Sequence, residues 1–175
     1  MRRLTRIRLS SMLDFVNFGS ICKGCTVNCC RRFYAVLLDD EEEEFKDVAD
    51  TIETPLGRVR TLGNPKGGIC PFLTREGLCG IYEKRPLDCR LWPLMVHYDF
   101  EKDEYIIILD LECPAAAENK IPQELLEKMV KTVITMLTSN NLNKDWVKRF
   151  TLTPWPKNYT EIARIKAPQS HGDLQ

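Results

Sequence analysis

The chain has 175 residues, with 25 lysines and arginines against 25 aspartates and glutamates, and 43% of it is hydrophobic. Balanced charge leaves no global field for nucleic acid or a strongly acidic partner. The apolar content excludes a disordered chain, and the length lets one domain bury roughly 70% of its unfolded surface, so neither disulfides nor metal is needed merely to fold.

At the N-terminus Arg2, Arg3, Arg6 and Arg8 interrupt the apolar residues. The segment therefore lacks the apolar stretch of roughly 7–15 residues that a secretory signal needs, and nothing approaches the roughly 20 apolar residues of a membrane span. The expected location is cytoplasmic. Leu9, Met12, Leu13 and Val16 recur at helical spacing and predict a helix or arm over 1–20. The cysteine loop CKGCTVNCC follows at 22–30, and the short apolar run 31–38 reads as a strand. Asp39 and Asp40 suit a helix N-terminus, so the acidic run 39–50 reads as a solvated helix start. The turn-rich stretch 54–68 predicts one short strand between loops.

A second cysteine zone, 67–93, reads as a hairpin folded at REG and then a helical turn at EKRPLDCR. MVHYDF and YIIILDL flank EKDE and predict a β-hairpin. Residues 121–141 give the clearest helix, with Pro122 and Glu124 in the first turn and a core stripe of Leu125, Met129, Val133 and Met136. A short helix is expected around 144–150, and Pro154 and Pro156 lead into an extended tail over 153–175. The fold class is α+β: a single domain of small antiparallel sheet and hairpins, several helices and cysteine-rich metal-binding loops. Residues 22–113 form its metal-binding core and 114–152 a helical C-terminal part.

In a reducing compartment clustered thiols read as metal-binding or catalytic before they read as disulfides. The spacing from Cys22 to Cys25 lets one tight turn aim two sulfurs at a common point. Adjacent Cys29 and Cys30 diverge by about 100° on a helix, which suggests two neighbouring sites or one multinuclear cluster. Cys70, Cys79, Cys89 and Cys113 bring the total to eight, the requirement of two four-thiolate sites. Their wide spacing demands that loops from distant parts of the chain converge. Cys70 and Cys113 each precede a proline, as in the bacterial ferredoxin ligand run. Lys23, Arg31, Arg32, Arg85 and Arg90 lie near cysteines in sequence, where cations offset thiolate charge. His97, in a predicted strand, reads as a strand residue rather than a ligand.

CKGCTVNCC, then CPFL…GLCGIYEKRPLDCRLWP, then a final Cys-Pro together resemble the YkgJ-like cysteine-cluster family, a zinc- or iron-chelating domain. The resemblance runs from Cys22 to Cys113. It sets Cys-x2-Cys-x3-Cys-Cys on Cys22, Cys25, Cys29 and Cys30, and Arg-Pro-x2-Cys-Arg on Arg85, Pro86, Cys89 and Arg90. Ala115 stands where the family often has glycine. The resemblance implies chelation and, through related clusters in flagellin lysine methylases, a link to methyl transfer.

Structural zinc usually takes compact paired knuckles, whereas only one compact group is present here. The adjacent pair, the Cys-Pro steps and two quartets favour iron–sulfur, with one or two 4Fe-4S clusters on the eight thiolates. The expected role is redox or electron transfer with a protein or redox partner. A structural zinc module is the alternative, and a methyltransferase-related enzyme the second. No Gly-rich phosphate loop is present, and two histidines supply neither a Ser-His-Asp nor a His-Glu-x2-His arrangement. Whether any reaction is catalysed stays open at this level.

Overall fold

A computed structural model describes residues 16–25, 27–55, 57–64, 66–139 and 155–168. The chain divides in sequence between Trp92 and Pro93 into two compact units. The architecture is α+β, with a small antiparallel three-stranded sheet in each unit.

Short elements make up the first unit. Helix α1 spans Gly19–Cys22 and helix α2 spans Cys29–Arg32. The Phe33 N–H closes α2 on the Cys29 carbonyl at 2.8 Å, so the extended chain starts only beyond it. The strand expected over 31–38 is accordingly just two residues, β1, Ala35–Val36. Helix α3 is a single turn, Asp39–Glu42, shorter than the acidic run suggested. Two strands follow where one was expected. β2, Asp50–Thr54, and β3, Gly57–Leu62, form a hairpin whose register runs from Asp50 opposite Thr61 to Thr54 opposite Gly57. β-Branched Thr51, Ile52, Val59 and Thr61 favour that pairing. β1 joins the other edge of β3, giving the order β1-β3-β2.

The turn at REG is as predicted: Thr74 N–H donates to the Leu78 carbonyl at 2.8 Å, and Leu73 bridges Cys79. Gly77 sits there at φ +79, a conformation that disfavours side chains. EKRPLDCR then splits into a 3-10 turn, Tyr82–Lys84, and helix α4, Leu87–Leu91. Pro86 separates the two, since it holds Arg85 extended. Ala35, Leu37, Phe45 and Leu62 form the core of this unit, and Cys70, Phe72, Ile81 and Cys89 pack against it.

Longer elements make up the second unit. The predicted hairpin forms as β4, Leu94–Asp99, and β5, Glu104–Asp110. The expected C-terminal tail contains a third strand, β6, Tyr159–Lys166, antiparallel to β5 with a register shift between Ile107 and Ile108. Thr160, Ile162 and Ile165 favour strand, but the run carries charged residues and follows two prolines, which masks it in sequence. Helix α5 is Pro114–Ala117, and helix α6, Gln123–Thr138, is shorter than 121–141 because Pro122 precedes it and the Ser139 N–H closes it on Thr135 and Met136. Its buried residues are Met129, Val133, Met136 and Leu137, with Leu125 half-buried. Full burial of side chains of this size stabilises by about 1.5–3 kcal/mol each. The helix expected at 144–150 and most of the N-terminal arm lie outside the described residues. Among those residues, no helix is long and apolar enough to cross a membrane.

Candidate metal centre

The cysteine loop is held by its backbone. Cys22 ends α1, Gly24 turns the chain at φ +86, and the Cys25 N–H donates to the Cys22 carbonyl at 3.0 Å. The Cys25 thiol donates to the Val27 carbonyl at 3.2 Å. Cys22 and Cys25 are exposed, whereas Cys29 and Cys30, which open α2, are half-buried. Three hydrogen bonds tie this segment to the later cysteine zone. Phe18 N–H donates to the Tyr82 hydroxyl at 2.8 Å, the Asn28 amide to the Gly77 carbonyl at 3.0 Å, and Cys70 N–H to the Cys30 carbonyl at 2.9 Å. None of them uses a sulfur atom, so the loops are registered without the thiols.

Within that frame Cys30, Cys70, Cys79 and Cys89 come into electrostatic reach of one another. Cys30 from α2 donates its thiol hydrogen to Cys70. That bond is the largest influence on both groups: it raises the Cys30 pKa and lowers that of Cys70 to about 6. Cys70 also accepts from the Phe72 N–H. Burial pushes the Cys79 and Cys89 thiols up, and Asp88 adds to the effect on Cys89. Arg85 opposes it at both. The four sulfurs come from α2, the loop before the REG hairpin, the far side of that hairpin, and α4.

The donor set fits the chemistry of a soft or borderline metal, since thiolates suit zinc and iron–sulfur alike. Among the described residues, no group of three or more His, Cys, Asp or Glu side chains is placed so as to hold a metal ion.

Of the cations singled out in sequence, Arg85 lies within reach of thiols. Its guanidinium also stands 3.6 Å from the Tyr82 ring centroid, and its Nε donates to the Tyr82 carbonyl at 2.8 Å. Arg90 serves the backbone, donating to the Arg85 carbonyl at 2.8 Å and the Glu83 carbonyl at 2.7 Å, which fixes the 3-10 turn against α4. Lys23, Arg31 and Arg32 are exposed, and Arg32 lies over the Phe33 ring.

Two carboxylates stand on these elements, and sequence reasoning missed one of them, Glu41. Glu41, read as part of a solvated run, is only 4% exposed. It accepts from Leu38 N–H at 3.0 Å and from Leu87 N–H at 2.7 Å. Asp88 accepts from Val36 N–H at 2.8 Å. Burial raises both pKa values to about 7 despite these hydrogen bonds. Glu41 sits three residues into its helix, where a carboxylate reaches back to the first N–H, and that position was the available signal.

In the second unit, Cys113 is half-buried and stands just before α5, its carbonyl accepting from Ala116 and Ala117. His97 is fully buried on β4 and stacks on Trp155 at 3.9 Å between ring centroids, 11° from parallel. Neither ring nitrogen has a hydrogen-bond partner among the described residues, and burial lowers its pKa to about 4. It is a packed strand residue.

The chain belongs to the CxxCxxCC family, described as "Putative zinc- or iron-chelating domain", whose model matches residues 21–114, just over half of the chain. That match continues past the division at Trp92 and takes in Cys113. The family label writes two residues between its second and third cysteines, where this chain has Thr26, Val27 and Asn28. The pattern over Cys22–Cys30 is therefore one residue longer than the label. Searches of curated proteins and of solved structures return no significant match. Family membership and the gathered thiols together support metal binding.

Proposed function

We propose that this protein holds an iron–sulfur cluster, 4Fe-4S by preference, on Cys30, Cys70, Cys79 and Cys89, and serves a redox partner in electron transfer. The observation that carries this reading is that four half-buried cysteines from separate segments are drawn together by the backbone and the core: Cys70 N–H bonds the Cys30 carbonyl, Leu73 bridges Cys79, and Cys70 and Cys89 pack on the same apolar cluster. Cys22, Cys25 and Cys29 are candidates for a second site, and Cys113 keeps its candidacy from its place in the family match. When bound, the group would supply one-electron chemistry. The chain's own residues would bind it, shield it on the core side and, through Arg85, offset its negative charge. A closed zinc site on the same four thiolates is the second reading, favoured by the same quartet and by the family's description.

Iron, zinc and acid-labile sulfide on protein purified without oxygen, with a visible spectrum, test the choice. Iron and sulfide in equal amounts, with colour bleached by dithionite, support a cluster. Zinc without sulfide or colour supports the second reading. A chain with neither metal contradicts both.

A further inference from the structure

Cys89 lies in α4, a helix of only five residues, Leu87–Leu91, which lacks the length to stand alone. Two buried or half-buried carboxylates tie it to the rest of the unit. Glu41 uses its two oxygens for two different donors. Oε2 takes the Leu38 N–H at the start of α3, and Oε1 takes the Leu87 N–H at the start of α4, 46 residues away. Asp88, next to Cys89, takes the Val36 N–H from β1 at 2.8 Å. β1 is an edge strand whose other side pairs with β3, so Asp88 occupies the outward donor that an edge otherwise leaves open.

We infer that Glu41 and Asp88 are positioning residues for the metal site, a carboxylate clamp that fixes α4, and hence the Cys89 sulfur, against β1 and α3. The inference rests on the assignment of Cys89 as a ligand. Neither carboxylate need touch the metal. Each satisfies a backbone donor that would otherwise be buried and open, and the pair sets where α4 begins and which way Cys89 faces. Outer partners of this kind typically change metal affinity by about 10–100-fold when removed.

Cobalt(II) alone is the probe, titrated anaerobically into the full chain stripped of metal and reduced, and read by thiolate-to-cobalt absorption. Asp88→Ala and Glu41→Ala are expected to weaken cobalt binding by about 10–100-fold and to shift the band shape. Asp88→Asn keeps an acceptor for the Val36 N–H and is expected to stay within about threefold of wild type, since the lost charge is not the positioning element. Glu41→Gln supplies one acceptor oxygen for two N–H groups and should fall between. It keeps the test decisive if an alanine variant does not fold. Val59→Ala, a buried change in β3, controls for lost stability and should leave the band shape unaltered. Wild-type affinity and spectrum in folded Glu41→Gln and Asp88→Ala overturn the clamp. Equal losses in Asp88→Asn and Asp88→Ala overturn it too, because charge would then be the cause. A wild-type chain with no thiolate–cobalt absorption overturns the chelation reading and the clamp with it.

Discussion

The two units reach order by different means. In the second, strands of six, seven and eight residues and a sixteen-residue helix satisfy their own backbones, and Tyr105, Ile107, Ile108, Val133 and Leu137 are buried to within 1%. In the first, no helix among the described residues exceeds five residues, β1 has two, and cysteines are part of the core's lining. Side chains there replace regular pairing: Glu41, Asp88, Tyr82, Asn28 and Arg90 each bond backbone groups far along the chain or across a turn. A unit that draws distant segments together without long ladders leaves polar side chains to carry the register.

The largest expected effect falls on the four gathered thiols. Cys70→Ser should abolish stoichiometric metal at the quartet, read by metal analysis. Cys25→Ser, in the exposed loop, should lower metal content by a smaller fraction and destabilise the loop. Equal loss from both would merge the two groups of cysteines into one site. On the other side of the comparison, Ile107→Ala should destabilise by about 2–5 kcal/mol in urea unfolding, as buried truncations do. It should leave the thiolate spectrum of the folded protein unchanged.

Acid should act on the units in opposite senses. His97 has a folded pKa of about 4 against 6.5 unfolded. Between those values the unfolded chain binds more protons, so the stability gained by burying a neutral ring is present above pH 6.5 and lost as pH falls toward 4, on the order of 3 kcal/mol. Glu41, raised to about 7 from 4.5, has the reverse sign: its contribution is present below 4.5 and lost as pH rises through 7. Asp88 follows Glu41. Urea midpoints across this range should therefore tilt in opposite directions in His97→Phe and Glu41→Gln. Tilts of the same sign would contradict the burial assigned to one of them. The smallest effect is expected from Asn28→Ala, which removes one exposed bond to Gly77 and should cost about 0.5–1.5 kcal/mol by the same urea measurement.

Much of the second unit was legible in sequence, because alternation in β4 and β5 and the stripe on α6 are local signals. β6 was not, since its pairing partner lies far back in the chain, with Tyr159 opposite Asp110 and Lys166 opposite Glu104, and two prolines precede it. The eight cysteines stood out by type and spacing, yet nothing local brings Cys30 and Cys70 together. That proximity follows from the Cys70 N–H bond to the Cys30 carbonyl, and the hairpin then pairs Cys79 with Leu73. Glu41 was hidden for the same reason: its second partner, Leu87, lies 46 residues on. Within an acidic run, composition says solvent, and only the tertiary contact says otherwise.

The most direct test compares wild type with a variant in which Cys30, Cys70, Cys79 and Cys89 are all serine, both purified without oxygen and analysed for iron, zinc and acid-labile sulfide. One cluster on the quartet predicts that serine substitution removes about four iron and four sulfide per chain, together with the visible colour they give. Metal and sulfide retained in full by the serine variant would contradict the assignment of the site.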